Sequence, residues 1–257
     1  MPAEVTKETD AGHDALFRYQ RDRNKEGLAS SVAHFQLALT KCPDEHPCRA
    51  AALFNLAKVE FFTYQSRGTS HDFDRSISHY QEALELRQGG YQDRPMTLLH
   101  LSQALLYHYG TVGDEASTKG ELLKLVDELK DICPEDTHEH RAAALVLQTY
   151  ERFRLRDSDD SAELNKLISQ LDAAAQEPPD DYFDRPIRYN NLGLALQRRF
   201  QLRRDSSDLD RAIDWLEKAT QAIPNNHPDK PNYLSNLGNA ILVRFQLQHA
   251  VPLTKQL

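Results

Sequence analysis

Apolar residues recur at intervals of three and four along most of the chain, with polar residues between them. Leu234, Leu237, Ile241 and Phe245 illustrate this spacing. An α-helix places residues at such intervals on one face, so the pattern predicts a series of amphipathic helices. β-branched residues do not alternate with polar residues over five positions, and the sequence contains no Asn-Gly or Asp-Gly hairpin turn. The pattern therefore predicts an all-α fold.

A longer repeat organises these helices. The segment RPIRYNNLGLALQRRFQL from Arg185 matches KPNYLSNLGNAILVRFQL from Lys230 with an offset of 45 residues. A second kind of segment alternates with the first, and its central apolar column contains Val32, Ile77, Leu122, Ile168 and Ile213. Five two-helix units follow from these columns. One helix pair cannot bury both of its apolar faces, so we expect the units to stack into an α-solenoid.

Proline and polar turns mark the ends of the helices. Pro43, Pro134 and Pro224 each follow a predicted second helix, and the next first helix begins after a short polar turn. The predicted helices cover residues 11–23, 28–42, 47–66, 71–88, 93–109, 118–133, 138–156, 161–177, 184–203, 207–223 and 230–248. We expect a disordered segment over 1–10, one helical repeat domain over 11–248 and a tail over 249–257.

The repeated unit resembles a known family. NLGLA (191–195) and NLGNA (236–240) resemble the first helix of a tetratricopeptide repeat (TPR), and DRAIDWLEKATQAIPNN from Asp210 resembles the second. This unit is about eleven residues longer than the 34-residue repeat of the family. Elongated units of this kind are similar to those of kinesin light chains and of fungal arrays that precede CHAT peptidase or NB-ARC ATPase domains. The third unit departs from the pattern, since Glu128 lies where a small residue is expected.

The resemblance implies a right-handed superhelix that acts as a non-enzymatic scaffold and binds a partner peptide or helix in its concave groove. An alternative is the sensor or regulatory arm of a larger CHAT peptidase or NB-ARC ATPase assembly. By analogy with the family, the first helices line the groove. The groove residues predicted on this basis are Phe54, Lys58, Phe61, Leu99, Gln103, Leu106, Asn190, Leu194, Gln197, Asn236 and Asn239.

Several of these residues have a second interpretation. Phe54, Phe61 and Leu99 fit a core role as well as a groove role. The recurring asparagines, such as Asn236, are suited either to holding a ligand backbone or to bridging neighbouring helices. A basic strip of Lys58, Arg152, Arg198 and Arg199 suits either a carboxylate ligand or a solvated surface.

Two glycines and the last predicted helix carry further expectations. Gly193 and Gly238 occupy equivalent positions, where a missing side chain lets a neighbouring helix approach closely. The helix at 230–248 has an apolar stripe, and no second helix of its own unit follows it in the sequence. Because a solenoid needs a polar terminal cap, this helix is a candidate for self-association.

Charge and hydropathy narrow the class of partner. The 257 residues include 31 Lys and Arg against 39 Asp and Glu, and the net charge of −8 opposes a polyanion, so we expect no nucleic-acid partner. Helical-repeat RNA binding is the least favoured class for the same reason. No run of 18 apolar residues and no leader-like N-terminus occurs, so we expect a soluble cytoplasmic protein with no membrane contact.

Candidate chemistry is sparse. The three cysteines are expected to be reduced thiols. Cys42, His46 and Cys48 could bind a metal, but the C-x-x-C spacing is missing, so a buried structural Cys42 is favoured. Cys133 ends a helix where the repeats merely turn, which disfavours a nucleophilic dyad with a nearby histidine. The acidic run 157–163 lacks the glycine and glutamate of a calcium loop, and GxxxxGK[ST] is absent. We expect no catalytic residue, cofactor or metal.

Overall fold

Regular structure in the described part of the chain is entirely α-helical. The computed structural model describes residues 2–22, 24–113, 116–176, 184–225, 227 and 229–249. The helices are α1 (Ala3–Asp22), α2 (Lys25–Lys41), α3 (Cys48–Arg67), α4 (Ser70–Leu86), α5 (Arg94–Val112), α6 (Ala116–Ile132), α7 (His138–Arg154), α8 (Ser161–Gln176), α9 (Asp184–Arg203), α10 (Ser206–Ala222) and α11 (Lys230–His249). The all-α prediction is confirmed, and most helix bounds agree with the predicted ones to within three residues. Two compact units divide the chain at Ala143 and Ala144.

The prediction of a disordered N-terminus is wrong. Helix α1 begins at Ala3, and Val5 is only 1% exposed because it packs with Ala38 and Cys42. The Glu8 carboxylate accepts a hydrogen bond from His34 Nδ1 at 2.8 Å and forms an ion pair with Lys41 at 3.0 Å. Residues 3–10 therefore belong to a helix that packs along α2.

The helices pack as successive pairs. Within the first unit α1 packs on α2, α3 on α4 and α5 on α6, and within the second unit α9 packs on both α8 and α10. First helices of neighbouring pairs also touch, as α3 and α5 do in one unit and α9 and α11 in the other. This arrangement buries both apolar faces of an inner helix pair, as the repeat period predicts.

A recurring close contact fixes each pair. Ser31 Oγ donates a hydrogen bond to the Gly12 carbonyl at 2.8 Å, and Ser76 Oγ donates to the Ala57 carbonyl at 2.9 Å. Both bonds join residues 19 apart, and the two bonds are themselves one 45-residue period apart. Gly12 therefore occupies the small-residue position of the first helix. The repeats consequently include α1.

Gly193 and Gly238 share that position but differ in surroundings. A Cβ atom on Gly193 would lie 2.7 Å from Leu216 Cγ and 3.1 Å from the Ala212 carbonyl oxygen, so close packing is confirmed there. No atom lies within 4 Å of a Cβ on Gly238 among the residues described. The prediction of a close helix approach at Gly238 is therefore wrong, because that face of α11 has no described neighbour.

The turn between α2 and α3 contains a disulfide. Cys42 ends α2, Cys48 begins α3, and the intervening turn places their Cα atoms 6.9 Å apart. The expectation of reduced thiols is wrong for this pair. It holds for Cys133, which is free and buried.

Candidate functional site

In the first unit, Phe54 lies at a surface cavity of about 610 Å³. Its half-buried ring meets the edges of Tyr80 and His100 at centroid distances of 5.8 and 5.1 Å, and the Arg87 guanidinium lies 5.2 Å away. Exposed Met96 lies on the same cavity. The predicted groove residue Phe54 thus combines a packing role with partial access to a ligand.

Lys58 and Phe61 continue this face of α3. Burial lowers the pKa of the Lys58 ammonium. Burial, and then the charge of Lys58, lowers the pKa of His100 to about 4. The Phe61 ring meets Tyr107 edge-on at 5.6 Å. These residues form an aromatic surface with one desolvated cation.

Two predicted groove residues of α5 belong to the core. Leu99 is 4% exposed and Leu106 is 9% exposed, so a partner cannot reach either without rearranging the helix pair. Gln103, one turn away from each, is exposed. The core interpretation is therefore favoured for Leu99.

In the second unit, a cavity of about 280 Å³ brings together three of the predicted groove residues, Leu194, Gln197 and Asn236. Leu194 and Gln197 come from α9 and Asn236 from α11, because the two first helices lie side by side. The remaining lining residues share an apolar or a cationic character: Phe153, Leu155, Leu164, Leu167 and Ala195, with Arg152, Arg156 and Arg198, while Gln201 adds an amide. No carboxylate lines this cavity among the described residues. We name it the α7–α11 cavity.

Asparagine side chains connect the helices around this cavity. Asn236 Nδ2 donates to Asn190 Oδ1 at 3.0 Å, and Asn191 Nδ2 donates to Thr149 Oγ1 at 2.8 Å. Asn190 and Asn191 are buried, which favours the bridging interpretation for them. Asn236 both bridges and faces the cavity, whereas Asn239 is exposed on α11.

Among the three arginines that line this cavity, Arg152 alone forms no ion pair with a described residue. Its Nε donates to Asn191 Oδ1 at 2.9 Å, and its guanidinium carbon lies 4.0 Å from the centroid of the Phe153 ring. Burial, together with the neighbouring charge of Arg156, lowers the pKa of Arg152 to about 10. Within the residues that the structure describes, no carboxylate lies at ion-pair distance from it. An anion placed in the cavity would supply the missing charge.

The other arginines of the predicted basic strip have partners. Arg199 makes two hydrogen bonds to the buried Asp208 carboxylate, at 2.6 and 2.8 Å. Arg198 donates to the Ser158 carbonyl at 2.9 Å and to the exposed Asp159 carboxylate at 3.2 Å. Arg199 therefore has a structural role, while Arg198 borders the cavity and can exchange an exposed partner for a ligand. The sequence pattern could not separate these cases.

Helix α11 presents an apolar surface to solvent. Tyr233 and Ala240 are its buried residues, and Leu237 packs partly against the core of α9 and α10. The exposed apolar side chains are those of Leu234, Ile241, Leu242, Phe245 and Leu247, of which Phe245 is 56% exposed. We call this set the α11 face.

Comparison with solved structures identifies the kind of fold. A Podosopora anserina protein named as a kinesin light chain, built of nearly identical TPR-like repeats, superposes with a TM-score of 0.54. The match has 14% sequence identity and covers 85% of this chain and 98% of that chain. No family model matches the sequence, and no curated protein does.

The fold is therefore that of a TPR-like repeat protein, as the 45-residue period and the NLGLA and NLGNA segments predicted. The α-helices of the described residues include none that is both long and apolar enough to cross a membrane.

Proposed function

We propose that this TPR-like repeat chain is a non-enzymatic scaffold for protein interactions, and that the α7–α11 cavity binds an acidic segment of a partner protein. The observation that carries the proposal is the partly buried Arg152 guanidinium, which lines the cavity and has no carboxylate partner among the described residues. A cation held away from water without a counter-ion is costly, and a ligand carboxylate would offset that cost.

The rest of the cavity suits the same ligand. Arg156 and Arg198 add positive charge beside Arg152, and the planar guanidinium groups can bind carboxylates with two parallel hydrogen bonds. Gln197 and Asn236 offer amide groups to a peptide backbone. Leu164 and Leu194 supply an apolar wall, so the preferred segment carries an apolar side chain next to its acidic one.

A peptide display experiment on the full chain tests this proposal. A library of random linear peptides should be enriched in sequences with Asp or Glu beside an apolar residue. Binding of the best acidic peptide, measured by fluorescence anisotropy, should weaken about tenfold or more in Arg152→Gln, because a charge-assisted hydrogen bond is lost.

A matched control separates this site from general electrostatics. Arg211 lies on α10, pairs with Asp172 at 3.0 Å and does not line the cavity. Arg211→Gln therefore removes one positive charge, as Arg152→Gln does, but away from the cavity. Its peptide affinity should equal that of the unmodified chain. Equal affinities for Arg152→Gln and Arg211→Gln would contradict the site. Enrichment without acidic residues would contradict the ligand class, and a library without binders would contradict peptide capture by this scaffold.

We also propose that a second copy of the chain covers the α11 face. Five large apolar side chains exposed on one helix form a surface of the kind that mediates protein association. Light scattering over a concentration series tests this association.

A further inference from the structure

The turn between α2 and α3 gathers three groups that ligate metals. One atom each from Cys42, His46 and Cys48 lies within 4.8 Å of the other two. With zinc–sulfur and zinc–nitrogen bonds of about 2.3 and 2.0 Å, tetrahedral coordination requires ligand separations of about 3.5 to 3.8 Å. Once the disulfide is reduced, small side-chain rotations would therefore reach that geometry.

The repeat itself shows that Cys48 is exceptional. The equivalent residues at the start of the later first helices, α5, α7, α9 and α11, are Asp93, Glu139, Asp184 and Asp229, spaced by 45 or 46 residues. An acidic residue is favourable there because the N-terminal end of a helix attracts negative charge. A thiolate at Cys48 would place its negative charge in the same field.

His46 has an ordinary role in the turn that a metal would replace. Its Nδ1 accepts a hydrogen bond from the Cys48 backbone N–H at 3.1 Å, and His227 Nδ1 accepts one from Asp229 at 3.2 Å in the equivalent turn. Ligation through Nδ1 would use the accepting lone pair. Ligation through Nε2 would move the ring proton to Nδ1, which then could not accept. Either mode exchanges one weak hydrogen bond for a metal–nitrogen bond.

The backbone of the turn is already ordered. His46 N–H donates to the Pro43 carbonyl at 3.0 Å, and Arg49 N–H donates to the His46 carbonyl at 2.9 Å. Pro43 and Pro47 flank the histidine and restrict the backbone further. Little conformational entropy is therefore lost when the three ligands converge on one ion.

We propose that the reduced chain binds one Zn²⁺-class ion through the sulfurs of Cys42 and Cys48 and one ring nitrogen of His46, with water at the fourth position. A phosphine reductant opens the site: it cleaves the sulfur–sulfur bond, gives two thiols and leaves as phosphine oxide with the oxygen of one water. Binding of the divalent ion then forms two metal–sulfur bonds and releases the two thiol protons. The disulfide and the metal site cannot exist at the same time, because both use the sulfurs of Cys42 and Cys48.

The repeat supplies substitutions that preserve the fold. Ile223 follows α10 as Cys42 follows α2, and the two residues have nearly the same backbone conformation. Their φ and ψ angles are −80° and 131° at Ile223 and −81° and 123° at Cys42. Cys42→Ile therefore replaces a ligand with the residue that another unit uses. Cys133 lies in the same column, so Cys133→Ile is the matched control. Thr137 stands where His46 does, so His46→Thr removes the imidazole in the same way.

Cobalt titration of the reduced, full-length chain tests the site, with circular dichroism to verify each fold. One Co²⁺ per chain should give thiolate-to-cobalt charge-transfer absorption and the visible bands of tetrahedral cobalt, and Zn²⁺ should abolish both. Cys133→Ile should match the unmodified chain. Cys42→Ile and His46→Thr should weaken binding at least about tenfold, because losing a ligand costs no less than losing an outer-shell partner.

Three results would overturn the proposal. One is the absence of a charge-transfer band when thiol counting confirms three reduced cysteines. Another is a band that persists in Cys42→Ile and disappears in Cys133→Ile. The third is a pair of cysteines that cannot be reduced while circular dichroism still reports the folded chain.

Discussion

Leucine at Gly193 is expected to destabilise the protein, whereas leucine at Gly238 is not. Even the first added carbon at Gly193 would lie 2.7 Å from Leu216 Cγ, and the carbonyl oxygen of Ala212 closes the other side at 3.1 Å. Leu216 can rotate only within a packed core, and the backbone oxygen cannot move without shifting α10. Overpacking of this kind typically costs about 1–3 kcal/mol.

The net effect follows from two opposing terms. Leucine favours a helix over glycine by roughly 0.8 kcal/mol, and that gain applies at both positions. At Gly193 we expect an overpacking cost near the top of this range, about 3 kcal/mol. After the helix-propensity gain is subtracted, Gly193→Leu should be less stable by about 2 kcal/mol. Gly238→Leu should keep part or all of the gain, since no described atom lies near its Cβ.

Urea unfolding followed by circular dichroism, at low protein concentration, measures the difference. The unfolding midpoint should fall for Gly193→Leu at an unchanged slope, and it should hold or rise for Gly238→Leu. For a chain of this size the melting temperature of Gly193→Leu should fall by about 2–4 °C per kcal/mol. An unchanged or higher midpoint at Gly193 would show that α9 and α10 do not meet there.

Three further perturbations address other parts of the molecule. Light scattering over a concentration series should show dimers of the unmodified chain that Ile241→Glu with Phe245→Gln abolishes; a monomer throughout would contradict the association of the α11 face. Leu99→Ala should lower stability by about 2–5 kcal/mol in urea, as for a core leucine, and Phe54→Ala by less because Phe54 is only half-buried. The pKa of His100 is about 4 when folded against an ordinary 6.5, so its contribution to stability is complete above pH 6.5 and is lost as the pH falls toward 4. Urea midpoints of the unmodified chain and of His100→Gln over that range should converge as the pH falls, and parallel pH profiles would contradict the shift.

The helices could be predicted from sequence because periodicity depends on what every unit shares. The range 184–203 was predicted with the observed bounds of α9. The helix predicted over 11–23 covers only the later part of α1, and its beginning at residues 3–10 was missed, although Val5 and Gly12 are spaced to share a face with Leu16 and Tyr19. Treating Gly12 as the first member of the glycine column would have found it.

The site was less predictable because it depends on neighbours rather than on residue type. Gly193 and Gly238 are the same residue at the same repeat position, yet only Gly193 meets another helix. Arg152 and Arg199 both appeared as members of a basic strip, but Asp208 neutralises Arg199 and no described carboxylate reaches Arg152. Such differences arise from the register between α7, α9 and α11, which a single-sequence pattern does not specify.

The pairwise packing of the helices also governs how the second unit opens. Inner helix α9 contacts α8, α10 and α11, whereas α11 buries only Tyr233 and Ala240 among its described residues. Opening free energies in repeat proteins are close to a sum of nearest-neighbour terms, so α11 can detach while α9 and α10 stay folded. Amide protons of α11 should then exchange with solvent faster than those of α9. Asn236 would leave the α7–α11 cavity with each such opening, so the lifetime of a bound segment is coupled to the fraying of one helix.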